Sequence, residues 1–241
     1  MINQQSKQAI NTPAPIGSNL SFAAAEAYKR LRTNLMFSFA GEEKCRVIGV
    51  TSSIKGEGKT TTSINLAYTL AEVGKRVLLL DADMRMSNIH KVLKIQQSPG
   101  LSNLLVGLNN THVVQPSGIH KNLNVITAGE IPPNPSELLN AKRMQALLEL
   151  LSDKMDFIII DLPPIDAVTD ALIVSKLTDG MIIVARQNYV DKRVLDNTVR
   201  QLRFHDANIL GFVMNGTEIE KKYYRKSYYK NYYSSEKTDN E

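Results

Sequence analysis

One cysteine, no tryptophan and no long apolar run narrow the reading of this 241-residue chain before any motif is sought. A lone Cys45 has no partner for an intrachain disulfide, which suits a reducing compartment. The four histidines, His90, His112, His120 and His205, are scattered and hold no ligand spacing with that cysteine. That pattern excludes a structural zinc site. No stretch reaches the ~18 apolar residues of a membrane span. The opening, Met1 to Asn19, lacks the apolar centre of a secretory leader. The expected location is therefore cytoplasmic, with any membrane role supplied by a separately anchored partner.

What is present is ordinary in bulk and uneven in place. A hydrophobic content of 43% with 22% charged residues suits one sizeable α/β domain. The net charge is +5, from 29 basic and 24 acidic residues. Five of those basic residues and no acid lie in KKYYRKSYYKNYY, residues 221–233; 29 less five leaves 24 against 24. The body is neutral and the excess sits at one end.

Residues 1–20 carry Pro13, Pro15 and Gly17 among polar neighbours and read as a flexible lead-in. From Ser21 to Phe39, the three- and four-residue steps Ala24, Tyr28, Leu31, Leu35 and Phe39 predict an amphipathic helix that stops at Gly41. Apolar runs at 46–52, 76–81, 123–128, 157–161, 181–185 and 209–215 predict strands, most of them nearly continuous in Val, Ile and Leu as expected for burial on both faces. Helical patterns at 59–73, 136–152, 169–177 and 190–205 lie between them. Such alternation predicts a single α/β domain, a mostly parallel sheet flanked by helices. In Asn134-Pro135-Ser136-Glu137, Asn is the expected N-cap, Pro suits the first helical position, and Glu137 is placed to reach back to the cap.

Ser53-Ile54-Lys55-Gly56-Glu57-Gly58-Lys59-Thr60 follows a strand and opens a helix, the setting of a P-loop. Gly56 and Gly58 let the backbone curl so that N–H groups, those of Glu57 and Thr61 among them, face phosphate oxygens. The helix start adds its positive dipole end. Lys59 is placed to bridge the β- and γ-phosphates of ATP, and the Thr60 hydroxyl to coordinate Mg²⁺. The strict pattern has Gly where this chain has Ser53.

Two further strands end in acids: VLLLDAD gives Asp81 and Asp83, and FIIID gives Asp161. In a parallel sheet such carboxyl ends share one edge with the P-loop. Three carboxylates together call for a counter-charge, which metal-bound ATP supplies. Asp161 is the natural water-mediated Mg²⁺ holder. Of Asp81 and Asp83, one is expected to help place the metal and the other to take a proton from an attacking hydroxyl. The sequence leaves open which does which.

With those residues in view, the chain resembles the bacterial tyrosine kinases encoded with capsule and exopolysaccharide genes, P-loop proteins related to MinD and ParA. The resemblance covers about residues 21–233. It rests on TSSIKGEGKTT (51–61), VLLLDADMR (77–85), FIIIDLPP (157–164), AGEIPPNPSELL (128–139) and the tyrosine cluster. It implies ATP-dependent autophosphorylation on tyrosine, control of polysaccharide synthesis and export, a membrane-anchored adaptor that activates the enzyme, a cognate tyrosine phosphatase and a ring of copies. Asn215 matches an Asn that contacts adenine in the superfamily. The family's ring-forming Glu-x-x-Arg-x-x-Arg pattern, within the helix at 21–40, is met by Glu26 and Arg32 but has Lys29 in the middle. Lys lacks the planar fork of Arg. Related partitioning ATPases carry an extra lysine five positions before the P-loop lysine; Ile54 stands there, which favours the kinase branch over a MinD- or ParA-like switch that hydrolyses ATP without phosphorylating protein.

Six of the nine tyrosines, Tyr223, Tyr224, Tyr228, Tyr229, Tyr232 and Tyr233, lie within eleven residues in the segment 218–241. Their neighbours are Lys, Arg, Ser and Asn, so the segment is expected to be an exposed, flexible tail and these residues the phosphoacceptors. Lys and Arg between aromatics also suit single-stranded nucleic acid or an anionic membrane. The phosphoacceptor reading is preferred, and no nucleic-acid partner is expected.

Overall fold

The computed structural model describes residues 15–41, 44–108 and 112–217. The tyrosine cluster and most of the lead-in lie outside the described residues.

Seven strands form one sheet: β1 (Arg46–Ser52), β2 (Val77–Asp81), β3 (Val114–Pro116), β4 (Leu123–Ile126), β5 (Phe157–Asp161), β6 (Gly180–Arg186) and β7 (Ile209–Asn215). Their spatial order is β3-β4-β2-β5-β1-β6-β7, and only the β3–β4 pair is antiparallel. The central strands β1, β2 and β5 are buried at every residue. This is why they read as unbroken Val, Ile and Leu instead of alternating with polar residues.

Successive side chains on these strands enter opposite faces. Leu78, Leu80, Ile158 and Ile160 join one core, closed by α5 (Pro135–Asn140), α6 (Lys142–Ser152), α7 (Asp170–Ser175) and α8 (Lys192–Phe204). Val77, Leu79, Ile159 and Val50 join the other, covered by α2 (Lys59–Glu72) through Ile64, Leu66, Ala67 and Leu70. Outside α2 lies α1 (Phe22–Ser38), whose stripe of Leu31, Leu35 and Phe39 reaches the same core. Ser21 caps α1 by accepting from the Ala24 N–H. Arg32 of α1 donates to the Thr69 carbonyl of α2, while Lys29 pairs with Glu26 on α1 itself.

Several boundaries differ from the sequence reading. Residues 15–20, assigned to the lead-in, seat on α2 through a 3-10 turn, where the buried Gly17 N–H donates to Asn65 Oδ1. The helix expected at 136–152 is two helices, because Ala141 turns extended (φ −73°, ψ 149°) between α5 and α6. Pro135 does take the first helical position, but Asn134 makes no cap to the backbone. Its side-chain amide instead donates to Glu137 Oε2. Two short helices, α3 (Ile89–Leu93) and α4 (Leu101–Val106), and the edge strand β3 had no counterpart in the sequence reading.

Candidate active site

The order β2-β5-β1 sets three strand ends side by side. Asp81 is in register with Asp161, and Asp161 with Val50, just before the P-loop leaves β1. Gly58 is the N-cap of α2 at φ 93°, ψ 22°, a left-handed conformation that favours glycine. A Cβ on Gly58 would collide with Asn215 Nδ2. Asn215 donates that amide to the Glu57 carbonyl at 2.9 Å and to Thr62 Oγ1 at 3.4 Å, so β7 braces the loop from behind. Ser53, at the position of the missing glycine, is buried and accepts from Thr198 Oγ1 of α8 at 2.9 Å. The hydroxyl that departs from the strict pattern therefore has a partner.

The loop's charged groups converge. Lys59 Nζ donates to Asp83 Oδ2 at 2.8 Å and stands 3.8 Å from Asp161 Oδ2. Thr60 Oγ1 donates to Asp161 Oδ2 at 2.6 Å, and Ser63 Oγ lies 3.1 Å from Asp161 Oδ1. Asp81 is wholly buried. Its Oδ1 accepts from the Asp83 N–H, and its Oδ2 from Ser87 Oγ (2.8 Å) and the Ile89 N–H (3.4 Å). A cavity of about 380 Å³ opens over this cluster, walled by Lys55, Gly56, Gly58, Lys59, Thr60 and Thr61 on one side. Asp83, Arg85 and Met86 stand on another side, with Pro163 and Pro164 closing it.

Burial dominates the electrostatics. It pushes the Asp81 carboxyl up to about 7, with the nearby Asp161 charge adding to the shift. Burial also raises Asp161, against the opposing pull of Lys59 and the hydroxyls of Thr60 and Ser63. For Lys59, burial works against the charge, but Asp161 and Asp83 outweigh it and raise the ammonium. Three acids thus share one cation in a nearly dry pocket, a charge imbalance that a divalent cation would relieve.

These residues fit a nucleotide with its metal. The left-handed turns at Gly56 and Gly58 curl the backbone, the start of α2 presents backbone N–H groups, and the three acids have one lysine between them. Among the described residues no cluster of three or more His, Cys, Asp or Glu makes a ready metal cage.

A profile of the AAA-domain family matches residues 45–209. The tyrosine-protein kinase YwqD of Bacillus subtilis is 35% identical over 197 residues, covering 82% of this chain and 83% of that protein. The tyrosine-protein kinase CpsD of Streptococcus pneumoniae is 38% identical over 198 residues, covering 81% and 86%. This chain belongs to the bacterial tyrosine-kinase family. The solved kinase domain of the Escherichia coli tyrosine kinase ETK superposes with a TM-score of 0.76 at 35% identity, over 80% of this chain and 76% of that one. Against the longer kinases Ptk of Acinetobacter johnsonii and etk of E. coli, the chain spans 28% and 29% of their lengths.

Within this kinase, the structure brings Lys59, Thr60, Asp81, Asp83 and Asp161 together, with Gly56, Gly58 and Thr61 on the cavity wall. Glu57, expected to face the phosphates through its backbone N–H, has a side chain with a separate task. Its carboxylate is buried and accepts from the Ile54 N–H at 2.8 Å and the Arg186 N–H at 3.2 Å, so it braces the loop and leaves only its backbone for a phosphate. Sequence reasoning missed Ser63 and Ser87, which hold the buried carboxylates, and the wholly buried Asp170 that anchors Arg85. Arg85 stood within the quoted DADMR segment, but its partners Asp170 and Ser136 are distant in sequence. Only the fold joins them.

Proposed function

We propose that this kinase transfers the γ-phosphoryl group of ATP to tyrosine hydroxyls, those of Tyr223, Tyr224, Tyr228, Tyr229, Tyr232 and Tyr233 first. The observation that carries this reading is the position of Asp83. Of the three clustered carboxylates, it is the one on the cavity wall, while Asp81 and Asp161 are enclosed behind it. Bound ATP supplies the phosphoryl group, and Mg²⁺ the charge that neutralises its oxygens.

The chain's own residues divide the remaining work. Backbone N–H groups from Gly56 to Thr61 and the Lys59 ammonium orient the phosphates and hold their charge. The Thr60 hydroxyl and Asp161, 2.6 Å apart, would hold the metal together. Asp83 takes the phenolic proton, which a tyrosine near its ordinary pKa of ~10 does not surrender unaided. Asp81, saturated by Ser87 and two backbone N–H groups, positions Asp83 and adds charge for the metal.

The wider setting belongs to the same proposal. A role in capsule or exopolysaccharide synthesis and export follows from the family resemblance, as do a ring of copies, a cognate tyrosine phosphatase and a membrane-anchored adaptor that recruits the kinase from the cytoplasm. Among the described residues no helix is long and apolar enough to cross a membrane. Each phosphate adds about −1.5 to −2 charges. Full modification of the six tyrosines would therefore reverse the segment's basic character and loosen a ring held by it.

The test is incubation of the purified chain with Mg·ATP, mapping of phosphotyrosine by mass spectrometry, and Lys59→Met as control. Phosphate on the cluster, reduced about 10²- to 10³-fold or more in Lys59→Met, is expected. Release of free phosphate with no phosphotyrosine, even with an adaptor present, would sink the proposal in favour of an ATPase switch.

A further inference from the structure

Tyr189 lies in the turn between β6 and α8, beside Asn188 at φ 56°. Its side chain is 49% exposed, yet its hydroxyl donates to the main-chain carbonyl of Lys55 in the P-loop at 3.1 Å. Arg186 stands 5.0 Å from the Tyr189 ring centroid and donates from Nη1 to the Gly56 carbonyl at 3.4 Å. A Cβ on Gly56 would lie 2.7 Å from the Tyr189 hydroxyl. One turn thus holds two consecutive carbonyls of the phosphate loop. Tyr189 does not line the cavity within that loop.

The other two described tyrosines, Tyr28 and Tyr68, are half-buried; Tyr189 is the exposed one. Its flanks, RQNYVDKR, carry Arg186, Lys192 and Arg193 against a single Asp191. They resemble the basic surroundings of the six clustered tyrosines. A kinase that accepts one setting meets similar chemistry in the other.

We infer that Tyr189 is a second phosphoacceptor, modified by another copy of the chain, and that its phosphorylation releases the P-loop and weakens ATP binding. The inference rests on the kinase reading above and adds to it a brake on the same site. In the transfer, the phenolic oxygen bonds to the γ-phosphorus of ATP held by the other copy. The bond from that phosphorus to the β,γ-bridging oxygen breaks, and its electron pair leaves on ADP. The phenolic proton passes to Asp83 of the copy that holds the ATP, and then to water.

The consequence is local electrostatics. A phosphorylated Tyr189 has no proton to donate to the Lys55 carbonyl, and its −1.5 to −2 charge repels that oxygen. Arg186, already against the ring, makes stronger charge-assisted bonds to the phosphate than to the Gly56 carbonyl, and so leaves the loop. Both outer ties go together.

The test begins with the full chain and Mg·ATP, alongside a variant with all six clustered tyrosines changed to Phe. Phosphate at Tyr189 is expected in both, at a rate that rises with protein concentration. Adding Tyr189→Phe or Lys59→Met should remove it. Phosphate on the cluster with Tyr189 bare in both proteins overturns the inference and leaves the kinase reading standing; no phosphotyrosine anywhere overturns both. A second measurement titrates a fluorescent ATP analogue with Mg²⁺ into wild type, Tyr189→Phe and Tyr189→Glu, each checked for native melting. Losing one hydrogen bond in Tyr189→Phe should weaken binding about two- to tenfold. Tyr189→Glu, which also adds charge, should weaken it about tenfold or more. Equal affinity in all three would overturn the brake.

Discussion

The two ends of the sheet carry similar residue types and do opposite things with them. At the amino end, a cavity of about 830 Å³ is lined by Lys44, Cys45, Arg46, Asp156 and Asp179 among others. It is more than twice the size of the P-loop cavity, yet its Asp156 and Asp179 each face an arginine. Arg46 Nη1 lies 3.5 Å from Asp179 and its guanidinium 4.5 Å from the Phe39 ring; Arg76 Nη2 lies 2.7 Å from Asp156. At the carboxyl end the smaller cavity sits over three acids and one lysine. Paired charges at the amino end push a carboxyl down, as Arg76 does to Asp156, whereas crowding and burial at the carboxyl end push Asp81 and Asp161 up. Cavity size does not locate the chemistry. Unbalanced charge does, because a fold tolerates it only where a ligand supplies the difference.

The largest expected contrast lies inside the acidic end itself. Asp83→Asn should lower phosphotransfer about 10²- to 10⁴-fold, the range for loss of a general base, with little change in ATP affinity. Asp81→Asn should lower it less, because that carboxylate faces Ser87 and backbone N–H groups, away from the cavity wall. Single-turnover rates with bound ATP measured separately would check the order. If Asp81→Asn proves the more damaging with ATP binding intact, the assignment of the base is reversed.

The amino end should answer differently. Arg46→Ala removes a nearly buried guanidinium packed on the Phe39 ring, leaves Asp179 with Lys44 and the Val47 N–H, and should cost about 2–4 kcal/mol of stability through lost packing. Phosphotransfer per folded molecule should hold. Denaturant melts paired with active-site-normalised rates test this, and a fall in the normalised rate would mean the two ends are coupled through β1.

How far the sequence could be read follows the same divide. Strands β1 and β5 fall at the residues where their apolar runs predicted them, since burial on both faces writes itself into composition; β7 falls where predicted too, although it is only partly buried. The P-loop and strand-end acids were legible because their spacing is local. What was not legible depended on contacts across the fold. The break at Ala141 has no Gly or Pro to announce it. The helices α3 and α4, at five and six residues, are too short for periodicity to show. Nothing near Asp81 reveals that Ser87 and Ile89 would enclose it, and Tyr189 meets Lys55 across 134 positions. The task of the Glu57 side chain was hidden for a related reason: it lies inside the motif, but its carboxylate meets Arg186 across 129 positions.

The smallest effect isolates the paired end by pH. The folded carboxyl of Asp156 is held below its ordinary value chiefly by the Arg76 side-chain hydrogen bond, with burial opposing and the Arg76 backbone N–H assisting. A carboxyl depressed in the folded state contributes stability that is present above its unfolded value of ~3.9 and is lost as pH falls through the lower folded value. Wild type should therefore lose a small increment of stability below about pH 4 that Asp156→Asn does not have to lose. Because Arg76 is more than half exposed, solvent and salt screen the pair, and the difference should shrink as salt is added. Urea midpoints of the two proteins, taken from pH 5 downward at low and high salt, would converge at acid pH. Parallel curves would show that Arg76 and Asp156 contribute no net pairing energy, and that the matched charges of this end are held by its backbone contacts alone.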